Sequence, residues 1–209
     1  MGKSKVEKYI CGSVRTNCYF FINTETKEVI LVDPADNAPL LKKKIEEKEL
    51  KPAAILLTHG HFDHIMAADE LRTAYGIPVI AQKEEQMILE NPRGNLSVMF
   101  GANYTLKADQ YVEDNAVLEL AGFSIQVLHT PGHTIGGCCY YVKDENLVFS
   151  GDTLFCESVG RSDFPTGSMS ALIRSIKQRL LVLPDETKVY PGHESTTDIE
   201  NEKMNNPFL

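Results

Sequence analysis

Five of the six histidines in this 209-residue chain fall in three short segments, a fourth such segment carries an aspartate, and each of the four follows a run of β-type residues. Thr58-His59-Gly60-His61-Phe62-Asp63-His64 follows the apolar run Ala53-Ala54-Ile55-Leu56-Leu57. Thr130-Pro131-Gly132-His133-Thr134, Ser150-Gly151-Asp152-Thr153 and Tyr190-Pro191-Gly192-His193-Glu194 follow Val127-Leu128, Val148-Phe149 and Val189-Tyr190. A fold that honours this pattern brings four strand ends to one edge, where open α/β sheets keep their ligand crevice. Imidazole nitrogen and carboxylate oxygen are ligands that zinc or iron accepts. In an extended loop His59 and His61 project to the same side, while Asp63 and His64 open a helix and turn toward a second point. Each residue also has an ordinary structural use. Asp63 could be the N-cap of a helix beginning at His64, Asp152 a turn aspartate, the Pro-Gly pairs simple β-turns, and His133 or His193 a structural histidine. An H-x-H-x-D-H window together with three matched strand ends favours the metal site over all of these combined.

The rest of the chain supplies two sets of strands and helices. Cys18–Ile22 and Glu28–Val32 read as a hairpin, and Asp36-Asn37 before Pro39 starts a helix with Leu40, Leu41, Ile45 and Leu50 on one face. A second helix runs from about His64, with Ile65, Ala68, Leu71 and Tyr75 inward, and stops at Gly76. Further on, Val117–Leu120 with Phe123–Leu128, and Cys138–Val142 with Leu147–Phe149, are hairpin pairs. A helix starts at Ser168 with Leu172, Ile176 and Leu180 on one stripe, before a last strand at Lys188-Val189-Tyr190. Two sheets packed face to face with helices outside satisfy both halves. No linker or repeat interrupts them, so a single domain over residues 1–209 is expected.

Composition sets the limits. The formal charge of −8 disfavours a partner with a phosphate backbone, so no nucleic acid is expected. No apolar run of about 18 residues is present, so no membrane span is expected. The basic start at Lys3-Ser4-Lys5 has no apolar stretch after it, and five cysteines form no C-x-x-C pair. A cytoplasmic protein with reduced thiols is the expectation. The sequence carries no signal for an oligomeric state.

At these residues the sequence resembles the metallo-β-lactamase superfamily, from the strand end at Asp33-Pro34 to His193. Within it the chain is most similar to the short bacterial kind of glyoxalase II-like hydrolase. Gly151-Asp152-Thr153-Leu154-Phe155, Gly160-Arg161-Ser162-Asp163-Phe164-Pro165 and the ending Asn206-Pro207-Phe208-Leu209 carry that likeness. The resemblance implies an α+β fold, the αββα sandwich of two mixed sheets, with a two-metal centre at one edge. Carried over by position, His59, His61 and His133 would hold one divalent ion and Asp63, His64 and His193 the other. Asp152 would bridge them, and Asp33 would support the ligand loop. Zinc is the first choice of metal, with iron or manganese as alternatives.

The chemistry implied is hydrolysis of a thioester or related ester of a small molecule by hydroxide held on the dinuclear centre, with Asp63 orienting the water and accepting its proton. Glyoxalase II proper continues into a helical domain that contacts glutathione, and nothing of that length follows His193. The main rival is a persulfide dioxygenase with one iron on His59, His133 and Asp152. A β-lactamase fits less well, because the second site carries no Cys. A metallo-nuclease is disfavoured by the charge, and a non-catalytic metal protein by seven ligands where structural zinc takes four. No G-x-S-x-G elbow points to a serine hydrolase. His129 reads as structural, Arg161 as fixing the loop after Asp152 rather than meeting a substrate carboxylate, and Cys156 carries no sign of activation.

Overall fold

The alternation of apolar residues in the first third builds a mixed six-stranded sheet. The computed structural model describes residues 3–209; Met1 and Gly2, the first positions of the expected domain, lie outside the described residues. Strands β1 (Ser4–Cys11), β2 (Thr16–Asn23) and β3 (Glu28–Val32) form an antiparallel meander. The β2–β3 turn is tied by Asn23, whose side chain accepts hydrogen bonds from Glu25 N and Thr26 N. Strands β4 (Lys51–Leu56), β5 (Val79–Gln82) and β6 (Gln110–Val112) then add in parallel, in the order β1-β2-β3-β4-β5-β6. Parallel pairing needs crossovers, and helices supply them. These are α1 (Ala38–Glu47) after β3, then α2 (Phe62–Ile65) and α3 (Ala68–Tyr75) after β4, with α4 (Gln86–Leu89) between β5 and β6. Asn37 caps α1 by accepting from Leu40 N, and Ala38, Leu41 and Ile45 are its buried face.

The second sheet is also mixed. It comprises β7 (Val117–Leu120), β8 (Phe123–His129), β9 (Cys138–Val142) and β10 (Leu147–Gly151). A small hairpin, β11 (Leu154–Phe155) with β12 (Ser158–Val159), and helix α5 (Met169–Ser175) lead on to β13 (Lys188–Pro191) and β14 (Thr197–Asp198). The order is β14-β13-β10-β9-β8-β7, and α6 (Ile199–Asn205) follows. Ser168 is the N-cap of α5, as its position predicts, and Leu172, Ile176 and Leu180 are buried.

Successive side chains on a strand face opposite ways, and three cores follow from that. Tyr19, Phe21, Ile30, Val32 and Leu56 meet Phe123, Ile125, Tyr140 and Phe149 between the sheets. Phe20, Leu31, Ile55 and Val79 face Leu41, Ile45 and Leu71 of α1 and α3. Leu128, Val148 and Val189 face Leu172 of α5, Ile176 just beyond it and Ile199 of α6. The layers are therefore helix, sheet, sheet, helix, the αββα sandwich expected.

Two local expectations are corrected. The helix placed from about His64 to Tyr75 is two helices, because Ala67 N donates to Pro34 O at 3.0 Å instead of continuing the helical ladder. The first of them starts at Phe62, with His61 as N-cap, so Asp63 lies in its first turn and does not cap it. The strand at Lys188–Pro191 is also not the last, since β14 pairs with it before α6.

Candidate metal centre

Strands β8, β10 and β13 run in one direction, so their carboxyl ends share one edge of the second sheet. The turns beyond them carry His133, Asp152 and His193. The turn beyond β4 in the first sheet carries His59, His61, Asp63 and His64. The structure brings all seven together in three groups: His59–His61–His133, His59–His64–Asp152 and Asp63–His64–His193. The ligand atoms within each group lie within 4.8 Å of one another.

Most of these imidazoles have one nitrogen tied outward. His133 Nδ1 donates to Arg161 O at 2.7 Å, which leaves Nε2 facing inward, 2.9 Å from His61 Nδ1. His64 Nδ1 donates to Asp33 Oδ2 at 3.0 Å. Thr58 Oγ1 donates to Asp33 Oδ2 at 2.6 Å, so it accepts from His59 Nδ1 at 3.2 Å. Asp33 Oδ1 also accepts from Thr58 N at 2.8 Å. This is the supporting arrangement that orients metal-binding histidines. His59 Nε2, His61 Nε2, His64 Nε2 and Asp152 Oδ1 are buried without a hydrogen-bond partner, and His59, His64 and Asp152 form one of the three groups. An unpartnered buried polar atom costs about 1–3 kcal/mol, and three such atoms on the residues of one ligand group fit a bound cation.

The charges sort the site into two sides. Burial drives His59 well below its ordinary range, with His64 and His133 adding to the effect. Burial also takes His61 down to about 3, with His133 beside it. On the other side burial opposes the charge on His64, but Asp63, Asp152 and Asp33 outweigh it and push its pKa up to about 9. Burial likewise opposes His193, but hydrogen bonds to Asp152 and Asp63 raise it to about 10. His193 Nε2 stands 3.4 Å from Asp63 Oδ2 and 3.5 Å from Asp152 Oδ2. Asp152 also reaches His64 at 3.5 Å and His133 at 3.6 Å, so it stands between the two sides. Burial works against the charge on Asp152 and Asp63, yet His64 and His193 hold both carboxyls low.

Residues outside the sequence reading complete the site. Thr16 donates to Asp63 Oδ2 at 3.1 Å. Asn17 Nδ2 and Tyr19 OH both donate to Pro191 O, at 2.9 and 2.7 Å, and so fix the His193 turn from the opposite sheet. Glu85 accepts from the two loops that carry His59, His61 and His133, and burial pushes its pKa up to about 7. Its neighbours Lys83, Glu84 and Gln86 read as a charged surface turn, so no spacing in the sequence singles it out. Arg161 fixes its loop as expected: its guanidinium holds Asp163 at 2.7 Å through two bonds and lies 3.9 Å over the Phe164 ring. His129 stays outside the cluster and donates from Nε2 to Ile135 O.

A family model described as the metallo-beta-lactamase superfamily matches residues 12–193. The Bacillus subtilis (strain 168) protein named "Probable metallo-hydrolase YqgX" is 42% identical over 200 residues, covering 95% of this chain and 94% of its own. Hydroxyacylglutathione hydrolase GloC of Haemophilus influenzae is 36% identical over 196 residues, covering 92% of each. Among solved structures, the BLEG-1 B3 metallo-beta-lactamase superposes with a TM-score of 0.93 at 38% identity, over 98% of this chain and 99% of that one. TTHA1623 in a di-iron-bound form gives 0.86 at 37%, over 97% and 100%. ETHE1 from Myxococcus xanthus gives 0.78 at 28%, over 97% and 83%.

Proposed function

We propose, from the premise that this chain belongs to the metallo-beta-lactamase superfamily, that it is a metal-dependent hydrolase of small thioesters or related esters. The observation that carries the reading is the convergence of seven candidate ligand side chains, with buried unpartnered atoms on His59, His64 and Asp152 of one group. His59, His61 and His133 would hold one ion, and Asp63, His64 and His193 the other, with Asp152 shared. Divalent ions there, zinc in the first instance, would acidify bound water and polarise the substrate carbonyl. Asp63 is the proposed catalytic base. Thr16 holds its Oδ2 in place, and the carboxylate is kept ionised by His64 and His193. It takes a proton from the attacking water as the new C–O bond forms, and returns it to the thiolate or alkoxide as the scissile bond breaks.

Two clefts at the centre suit a small molecule. One of about 230 Å³, lined by Val14, Phe62, Met66 and Phe100, opens beside Asp63. The other, of about 320 Å³, is lined by Ile10, Arg15, Asn17 and His193 and offers a guanidinium to an anionic arm. The five unpaired cysteines suit a reducing compartment, and the cytoplasm is the proposed location. Neither nucleic acid nor membrane is a proposed partner.

The test is metal analysis of the purified protein, followed by three assays in parallel. These are hydrolysis of S-lactoylglutathione, oxygen uptake with glutathione persulfide, and opening of a chromogenic cephalosporin. Two ions per chain with thioester cleavage, lost in His59→Ala and Asp152→Ala, is expected. One iron with persulfide-dependent oxygen uptake would replace the reading with a dioxygenase, and cephalosporin turnover alone with a β-lactamase.

A further inference from the structure

Glu85 is 1% exposed, and no lysine, arginine or histidine among the described residues pairs with it. Its three hydrogen-bond partners all belong to the two loops that carry the three-histidine group. Oε1 accepts from Gly60 N at 2.7 Å, between His59 and His61. Oε2 accepts from Thr134 Oγ1, the residue after His133, and from Gly136 N, both at 2.9 Å. A side chain at Gly136 would collide with the Glu85 backbone, so the glycine lets the second loop reach the carboxylate. Asp33 has the matching position on the other side, bound to Thr58 and to His64 Nδ1. Asp33 also touches His59 through Thr58, so Glu85 is distinguished by its hold on the His133 loop. A buried carboxylate without a cation is costly, and this one is spent on the separation of two ligand loops that come from different sheets.

We infer that Glu85 is a positioning residue that sets the distance between the His59/His61 loop and the His133 loop, and so decides whether the three-histidine group closes round a cation. No residue of the Asp63–His64–His193 group is hydrogen-bonded to it. This rests on the metal-centre reading above.

The experiment strips the full-length protein of metal and titrates it with zinc ion against a chromogenic chelator. Cobalt(II) spectra are recorded alongside, and His61→Ala and His193→Ala assign the two binding events. Glu85→Ala is expected to weaken the His61-dependent event by about tenfold to a hundredfold, leaving the His193-dependent event within about twofold. Glu85→Gln keeps the shape and can satisfy two of the three donors, so it lies between wild type and alanine with an unchanged far-UV spectrum. Asp33→Asn weakens both events, because Asp33 holds His64 directly and His59 through Thr58. Equal weakening of both events in the Glu85 variants, or no change in either, overturns the inference. A wild-type protein that takes up no cation at all overturns the metal-centre reading itself, and the inference with it.

Discussion

At the scale of single residues, the outward nitrogens of the ligand histidines decide what the inward ones can do. Thr58, Asp33 and Arg161 O each accept a hydrogen bond from one imidazole N–H and so leave the other nitrogen to present a lone pair. Without metal, the carboxylates recruit protons to His64 and His193, which makes the pH dependence of the stripped protein unusual. His64 and His193 have folded pKa values raised to about 9 and about 10 from 6.5, so their contribution is complete below 6.5 and is lost as pH rises through those values. His59 and His61 are lowered by burial, so theirs is present above 6.5 and is lost as pH falls, down to about 3 for His61. Glu85, raised to about 7, runs with the first pair and costs stability as pH climbs from 4.5 to 7. Urea midpoints of chelator-treated protein are therefore expected to peak between about pH 5 and 7 and to fall on both sides. A steady rise from pH 6 to 10 would contradict this. Gly192 gives a second residue-level prediction. A Cβ there would collide with Asp152 Oδ1 and His64 Cε1, so Gly192→Ala is expected to lose cation uptake in equilibrium dialysis while keeping its far-UV spectrum.

At the scale of elements, the most readable parts were those whose periodicity and punctuation agree. Ala53–Leu57 is apolar without a break because the parallel strand β4 is covered on both faces, and the turn after it begins with the threonine that Asp33 holds. Strand β1 escaped the reading because its Lys5, Glu7 and Lys8 suit a half-exposed edge and leave no apolar run. The break between α2 and α3 escaped it because the cause, a bond from Ala67 N to Pro34 O, is tertiary and writes nothing into the local sequence. Glu85 is hidden for the same reason: only the fold decides which of Glu84 and Glu85 turns inward. Helix α6 shows a third case, in which one buried carboxylate secures an element. Glu202 is fully buried and accepts from Glu157 N, Thr197 Oγ1, Asn201 Nδ2 and Asn206 Nδ2, joining α6 to the β11–β12 hairpin. Glu202→Ala would strand those donors and is expected to cost about 2–4 kcal/mol in urea unfolding. Limited proteolysis would then cut near the C-terminus first. A loss below about 0.5 kcal/mol would mean the clasp contributes nothing.

At the scale of the whole molecule, the candidate ligands are divided between the sheets, four from the turn after β4 and three from the turns after β8, β10 and β13. The apolar interface between the sheets and a metal centre at its edge would thus be separate fasteners of the same two halves. The interface has contacts of its own: Phe21 stacks on Phe123 with ring centres 4.1 Å apart and meets Phe149 edge-on at 5.6 Å. Phe21→Ala is expected to cost about 3–5 kcal/mol, and by the same amount with or without metal if the two fasteners are independent. The metal contribution follows from mass action. A ligand that binds only the folded state adds about 2.7 kcal/mol when its free concentration is a hundred times its Kd, and two such ions add about twice that. In a domain of this size each kcal/mol moves Tm by about 2–4 °C, so chelation is expected to lower Tm by on the order of 10–20 °C in scanning calorimetry. His61→Ala and His193→Ala would each remove about half of that difference, because each disables one ligand group. An unchanged Tm after verified removal of metal would show that the sheets are held by the apolar interface alone, and that the ligand turns are already rigid before any ion arrives.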